Sequence, residues 1–500
     1  MMGNLLIVPL IVPFLAAALA LLLRSNRMVQ HGAALVGATG ILVGGITLLT
    51  VVIRQGPLVL TVGGWPAPFG IVFVADLLSA ILVTLTGAMG LAVVTFSLRA
   101  MDRERERFGY YPLLLILLMG VCGAFLTGDI FNLYVWFEVL LIASFVLLAL
   151  GSERAQMEGA LKYVTINLVA STLFLVAVGL LYAEVGTLNM ADLARVLPQA
   201  DSPALIAAIA SLFLMAFGIK AALFPLYFWL PAAYHTPPPV VSAIFAGLLT
   251  KVGVYALLRT FTLIFVGDVG YTHTIVLAAA GITMIVGVLG ALAQTELRRI
   301  LSFLIVSHIG FAVMGLGLYT PEGLAGAVFY IVEDMVVLTA LFLASGIIAQ
   351  ATSNDNIQDL GGLYKSAPLF ALLFLLPALS LAGVPPLSGF FAKLALLQAS
   401  LAIGQYGIVA AALTTSVLTL LAVSRIWSEL FWKPYPRRRP LTLPPISAEN
   451  AALWLPLAAL AATVVVLGLA VGPAFRLASE AGQQLFEPSA YLLAVLGESR

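Results

Sequence analysis

The stretch GIKAALFPLYFWLPAAYHTPPPV, residues 218–240, reads as an apolar helix that stops halfway. Lys220 sits in its apolar run, and Pro225 and Pro231 each remove a backbone donor and break the helix that would otherwise follow. Around it, 62% of the 500 residues are hydrophobic and only 9% are charged, against roughly 45–50% and about 25% in soluble domains. A chain so poor in polar side chains cannot cover a water-facing surface, so residues 1–500 are read as a single integral membrane domain. Inside a bilayer, non-helical backbone is tolerated only where it faces protein or a water-filled cavity. The break after Lys220 therefore marks a wet place in the membrane.

A hydrocarbon core ~30 Å thick takes about 20 apolar residues per helix, and on that ruler the chain is an all-α polytopic protein with about 14 transmembrane helices. The spans fall near 4–23, 31–53, 70–98, 111–127, 129–150, 159–183, 203–222, 239–262, 273–293, 300–318, 323–349, 367–383, 404–431 and 452–475. Residues 225–233 and 388–402 are short second halves that follow spans seven and twelve. The first apolar run lacks a basic leader and a cleavage site and is expected to be a retained helix. Fifteen basic residues fall in one set of alternate loops (Arg24, Arg27, Arg99, Arg103, Arg105, Arg107, Arg154, Lys162, Arg298, Arg299, Lys365, Lys433, Arg437, Arg438 and Arg439) against Arg54, Arg195, Arg259, Arg476 and Arg500 in the other. The positive-inside rule then puts both termini outside the cytoplasm. MDRERERFGYY (101–111) and KPYPRRRP (433–440) are expected to be solvated cytoplasmic loops that need no partner.

Several function classes drop out. A net charge of +1 offers no electrostatic footprint for nucleic acid. The single cysteine, Cys122, excludes an internal disulfide and a thiolate-held metal site. There is no Walker loop, no dinucleotide fingerprint in a strand–helix setting and no nucleophile beside a base, so no enzyme chemistry, cofactor or metal is expected.

What remains is a small set of ionisable residues inside the spans. Lys220, Lys251, Lys393 and Arg425 lie there, so half of the six lysines but one of the eighteen arginines are intramembrane. Arginine would serve wherever a fixed positive charge is needed, but it keeps its proton in proteins, whereas a desolvated lysine can give its proton up. The pattern points to sites that titrate. Glu138 in NLYVWFEVLLIASF, His308 in ILSFLIVSHIGFAVMG, and Glu333 with Asp334 in AVFYIVEDMVVLTALFL complete the set. Glu138 lies nine residues past Asp129, roughly 13 Å at ~1.5 Å per residue, near mid-membrane, where a carboxyl is expensive unless paired or wetted. Buried pairs that merely hold helices together are the plainer alternative; His308 alone fits a structural histidine equally well, and Arg425 fits a snorkelling side chain. Glu333 and Asp334 point about 100° apart on a helix, so one is expected to face the polar interior and the other a neighbouring helix or subunit.

A second break follows in SLAGVPPLSGFFAKLALL (380–397), where Pro385, Pro386 and Gly389 interrupt span twelve ahead of Lys393. Two broken hydrophobic segments in corresponding positions point to an internal repeat with a transport site in each half. Spans four to eight (111–262) would match nine to thirteen (273–431); five helices is an odd number, so the two copies would be inverted.

The blocks GDIFNLYVWFEVLLIASFVLLALG, KYVTINLVASTLFLVAVGLLYAEVGTLNMADLA, FGIKAALFPLYFWLPAAYHTPPPVVSAIFAGLLTKVGVYALLR, QTELRRILSFLIVSHIG and LGGLYKSAPLFALLFLLPALSLAGVPPLSGFFAKLALL resemble the antiporter-like subunits shared by respiratory complex I and the multisubunit Mrp cation/proton antiporters. Within that family they are most similar to the D-type subunits of the Mrp antiporters. The resemblance runs over about residues 70–430. It implies a proton path through Glu138 on helix five, Lys220 on broken helix seven, Lys251 on helix eight and Lys393 on broken helix twelve, with His308, Glu333 and Asp334 as further relay members. It also implies partner membrane subunits in a prokaryotic cell membrane and transport of protons and Na+; the alternative is a proton-pumping subunit of a redox-driven complex, either complex I or a membrane-bound hydrogenase. An adjacent carboxylate favours an ammonium, so Glu138 is expected to pair with Lys220 in one state and release it in another. One departure stands out: related chains usually carry histidines where Glu333 and Asp334 stand and a lysine at the position of Leu338, so the second half-channel is either rewired or silent.

Overall fold

The computed structural model describes residues 2–352, 354–435 and 441–497; Arg437, Arg438, Arg439 and Arg500 of the charge count lie outside the described residues. The first pair of helices, α1 (Val8–Leu22) and α2 (Arg27–Gln55), leads into strands β1 (Leu58–Thr61) and β2 (Val72–Ala75). Then come α3 (Leu77–Ala100), the short α4 (Arg103–Arg107), α5 (Tyr110–Leu126), α6 (Ile130–Ala149), α7 (Arg154–Val185) and α8 (Met190–Val196). The broken segment is α9 (Pro203–Ala221) with α10 (Trp229–Ala233), followed by α11 (Pro239–Ile244) and α12 (Thr250–Leu263), which a π-helical turn at Phe245–Leu249 joins into one rod. Next are α13 (Val269–Ala293), α14 (Leu297–Leu318), α15 (Pro321–Ala351), α16 (Leu363–Ser366), the second broken pair α17 (Pro368–Ala382) and α18 (Ser388–Ala402), and α19 (Tyr406–Trp427). The chain closes with α20 (Ala451–Leu469), α21 (Val471–Phe486) and α22 (Ser489–Leu496).

Among the described residues, twelve helices are long and apolar enough to cross a membrane; α5 and the broken pair α17/α18 are shorter apolar helices. Counting α5 as one span and the broken pair as another gives the expected fourteen. Three details differ from the sequence expectation. Span three does not begin at residue 70: Val72–Ala75 pairs antiparallel with Leu58–Thr61, because a β-branched and aromatic run after the turn residues GGWPAPFG favours a strand, and Asp76 starts the helix only afterwards by accepting from Ser79 N at 2.9 Å. Span fourteen ends at Leu469, not at 475, and the chain continues as the amphipathic α21. Ala478, Ala481, Gly482 and Leu485 line its buried stripe against the start of α15, and a Cβ on Gly482 would meet Ala325 N at 2.5 Å. The loop 101–111 is not wholly solvated, since Glu106 is buried beside Arg27 and His31 at 2.7 and 2.9 Å.

α15 is the axis of the molecule. Every residue from Gly323 to Ile348 except Val332 is buried, against α14, α17, α18, α20 and α21 among others. α12 is buried at all of its residues. Arg259, placed by the charge count in a loop, is part of α12: its guanidinium pairs with Asp76 at 2.6 Å and donates to Tyr255 Oη and Ser79 Oγ, both at 3.3 Å. It also lies over the rings of Tyr255 and Tyr491, with 5.3 and 5.1 Å to their centroids. This cluster ties α3, α12 and the C-terminal α22 together at the hairpin end of the bundle. Asp76→Asn keeps an oxygen to cap α3 but weakens a charge-assisted bond to a buried cation, so it is expected to lower stability by roughly 2 kcal/mol. Thermal unfolding of the assembled protein would read that loss, and an unchanged transition would show the pair to be energetically idle.

Candidate functional site

The apolar rods carry a line of buried polar groups, and each lysine on it sits at a defect in a helix. α9 ends because Ala222 takes the left-handed conformation (φ 61°) and Pro225 follows. The freed carbonyls are recaptured locally: Leu223 N donates to Gly218 O at 2.9 Å and the Trp229 indole donates to Ile219 O at 2.9 Å. Lys220 thus occupies the last turn, where the helix dipole presents its negative end. Its ammonium donates to Ser171 Oγ on α7 at 3.2 Å and lies 4.7 Å from the centroid of the Phe137 ring. Glu138, the next residue on α6, makes no ion pair with Lys220 among the described residues, and its Oε1 has no hydrogen-bond partner. The expected Glu138–Lys220 pair is therefore open in this structure.

The second lysine stands two residues past the π turn, at the start of α12. The extra residue in that turn displaces backbone bonding, and Lys251 Nζ donates to Ala246 O at 2.7 Å. The same ammonium forms an ion pair with Asp334 Oδ2 of α15 at 2.8 Å, both side chains being about 2% exposed. Gly253 brings this helix onto the end of α9, since a Cβ there would lie 2.7 Å from the Lys220 carbonyl carbon. Asp334 Oδ1 is 3.2 Å from His308 Nδ1, and that same nitrogen is 2.7 Å from Tyr330 Oη. One ring nitrogen cannot serve both neighbours: as a donor it satisfies Asp334, and as an acceptor it receives the hydrogen bond of the Tyr330 hydroxyl and leaves Oδ1 without a donor. The trio is a fork in which the tautomer of His308 decides which neighbour is bonded.

The third lysine belongs to the second break. Gly383 ends α17 with φ 85°, Pro385 and Pro386 prevent its continuation, and Lys393 on α18 reaches back to donate to Leu381 O at 2.9 Å and Ala382 O at 3.2 Å. These are the carbonyls that a helix end leaves unsatisfied. Glu333 accepts from Ser380 Oγ at 2.9 Å, and Ser380 in turn accepts from Gly389 N at 3.0 Å. Gly389 is required there, because a Cβ would collide with the Ser380 backbone carbonyl.

Of the seven candidates, Lys251, Asp334 and His308 come together in one contact cluster, Glu333 and Lys393 lie at the α17/α18 break, Lys220 lies at the end of α9, and Glu138 alone is half-buried. Glu333 and Asp334 part as their helical spacing predicts: Asp334 faces the polar cluster of α12 and α14, and Glu333 meets a neighbouring helix at the break of α17/α18. The 100° between them aims them at different neighbouring helices. Leu338 is fully buried, and Asp334 itself supplies the link to Lys251. Arg425 caps rather than snorkels, donating to Leu292 O near the end of α13 at 2.6 Å. Sequence reading misses the hydroxyls of Ser171, Tyr330 and Ser380 and the pair Asp76–Arg259. For Asp76 a signal exists, a carboxylate in the middle of the apolar run IVFVADLLSAILV; for the hydroxyls there is none, because serines on apolar helices are common and only the fold shows which ones face a charge.

The chain is similar to known proteins in sequence and in fold. The family described as NADH:quinone oxidoreductase/Mrp antiporter, transmembrane, matches residues 127–419, more than half of the chain. The D-type subunit of the Na+/H+ antiporter of Alkalihalophilus pseudofirmus is 43% identical over 497 residues, covering 99% of this chain and 100% of the relative. A chain in the structure of the Mrp complex from a Dietzia species superposes with a TM-score of 0.91 at 32% identity, covering 99% of both chains. A chain of the membrane-bound sulfane sulfur reductase, an archaeal respiratory membrane complex, superposes with a TM-score of 0.92 at 27% identity, covering 99% of this chain and all of that one.

Proposed function

The chain belongs to the NADH:quinone oxidoreductase/Mrp antiporter transmembrane family, and from that premise we propose that it is the proton-translocating subunit of a multisubunit Na+/H+ antiporter. It is a transporter subunit rather than an enzyme. The observation that carries the reading is the line of buried lysines and carboxylates, each lysine hung on a helix defect, in a chain 43% identical over nearly its full length to a D-type antiporter subunit. Protons enter at Glu138 and Lys220, pass to Lys251 and the Asp334–His308–Tyr330 fork, and go on to Glu333 and Lys393. Glu138 and Lys220 act as a switch: closing the pair holds the proton on Lys220, and opening it releases the proton toward Lys251. Residues 111–262 and 273–431 form the two inverted copies; the broken segments α9/α10 and α17/α18, one in each, support this. The basic loops support a cell-membrane location with both termini extracytoplasmic.

Glu138 also argues for partner subunits. Phe131, Val135 and Ile142 on α6 are exposed, and Glu138 lies on the same stripe, half-buried. A carboxylate near mid-membrane is not left to lipid, so a neighbouring membrane subunit covers this face and sets the state of the Glu138–Lys220 switch. A redox-driven pump is the second reading, favoured by the high TM-score to the archaeal respiratory complex; it is the weaker one, because identity there is 27% against 43%. Proteoliposomes holding the assembled complex should acidify or alkalinise on a Na+ jump without any electron donor, while the purified chain alone stays at background. Exchange by the single chain would overturn the dependence on partners, and flux that requires a reductant would favour the redox-driven reading.

A further inference from the structure

At the arginine-rich end of the bundle a cavity of about 1010 Å³ opens between the α1–α2 turn and α4. Its lining includes Arg24, Arg27, Arg103 and Arg107 with Glu104 and Glu106. Two of these charges are already matched: Glu106 is taken by Arg27 at 2.7 Å and His31 at 2.9 Å. Among the described residues, Arg24, Arg103 and Arg107 have no acidic partner, which leaves three guanidinium groups against the single carboxylate of Glu104. The run RERER explains how they come together. Arg103 and Arg107 are one turn apart and share a face, whereas Arg105 turns away to Asp102, Glu153 and the Leu150 carbonyl and Glu106 points inward. Gln30, buried in the wall, donates to Arg24 O at 2.7 Å and fixes that turn.

Three unmatched guanidinium groups around one cavity repel each other unless an anion sits among them, and planar donors of this kind suit a phosphate. The rim identifies the source of that phosphate. Leu22, Met28 and Phe108 stand 81%, 85% and 66% exposed on the flanking segments, at the level where the spans end and headgroups begin. Apolar side chains below and arginines above match the two parts of a phospholipid. We propose that this cleft binds the phosphate headgroup of an anionic phospholipid, with Arg24, Arg103 and Arg107 as its ligands and Leu22, Met28 and Phe108 against the upper acyl chains.

The test uses the purified complex in detergent, titrated with phosphatidylglycerol, with phosphatidylcholine of the same chains, and with glycerol phosphate, and read by native mass spectrometry as the number of molecules retained. Wild type should retain one phosphatidylglycerol more than the variant R24Q/R103Q/R107Q. At roughly fivefold per basic residue, the affinity of that molecule should fall on the order of 100-fold in the triple variant and fivefold in R107Q alone. The single variant serves if the triple one assembles poorly. Equal retention of the two lipids, or no difference between wild type and either variant, would overturn the site; glycerol phosphate binding as tightly as the lipid would overturn the membrane as its source.

Discussion

Lys220→Arg is expected to leave an assembled complex whose sodium-driven proton exchange has fallen by roughly 100-fold to 10,000-fold, the range that a positioned acid–base group contributes, and to match Lys220→Ala in that loss. The reason lies in what the lysine touches. Its contacts are a serine hydroxyl and an aromatic face, at 3.2 and 4.7 Å, with no carboxylate in ion-pair contact. A cation kept only as a strut would have its acid beside it, and arginine, which keeps the charge and grips a carboxylate with two prongs, would replace it tolerably. A group that hands on a proton each cycle cannot be replaced by guanidinium, which does not deprotonate in the accessible range. Lys251→Arg is expected to behave in the same way, although its lysine is ion-paired, because the Ala246 carbonyl and Asp334 can hold a guanidinium but cannot make it release a proton. Reconstituted exchange assays with assembly checked by co-purification decide the point. An arginine variant that keeps most of its exchange would make the ion-pair scaffold the better account.

The difference between these two lysines cannot be read from sequence, and the reason is physical. Hydropathy and charge count locate a lysine in a span because they register only its neighbours along the chain; Lys220, Lys251 and Lys393 are all legible that way, as are the breaks at Pro225 and at Pro385 and Pro386, whereas Pro231 and Gly389, expected as breaks, lie inside α10 and the first turn of α18. The partner of each lysine depends on helix packing. Asp334 stands 83 residues from Lys251 in sequence and nothing local relates them, while Glu138, whose family position invites a pair with Lys220, stands open. The π turn at Phe245–Leu249 is equally hidden, since the segment IFAGLLTK has the hydropathy of any helix and the bulge arises where Gly247 packs close under Thr339 of α15. The strand at Val72–Ala75 and the amphipathic α21 escape for different reasons: an apolar run does not state its own secondary structure, and α21 is too polar to register as a span. Loop charges mislead at Arg259 because its pair with Asp76 lets a buried arginine stand one turn from the helix end.

The adjacent acids of α15 should separate under mutation, although their sequence context treats them as one unit. Asp334→Leu removes the only ion pair that Lys251 makes among the described residues and the acid beside His308. A buried cation left alone in this way costs about 3–5 kcal/mol, so this variant is expected to lose both transport and much of its stability, seen as poor assembly and a lower unfolding temperature. Adding Lys251→Met should restore most of the stability and none of the transport, since an apolar pair of similar volume is tolerated where a broken ion pair is not. Glu333→Gln is a different case. Its carboxylate accepts from Ser380 Oγ, and an amide oxygen accepts equally well, so the fold should hold to within about 1 kcal/mol while the proton-carrying group is gone. If the residues at 251, 333 and 334 all served only to glue helices, Asp334→Leu with Lys251→Met would recover function along with stability, and Glu333→Gln would transport normally. The relay requires the opposite in both: stability returned without exchange in the first, and exchange lost without destabilisation in the second.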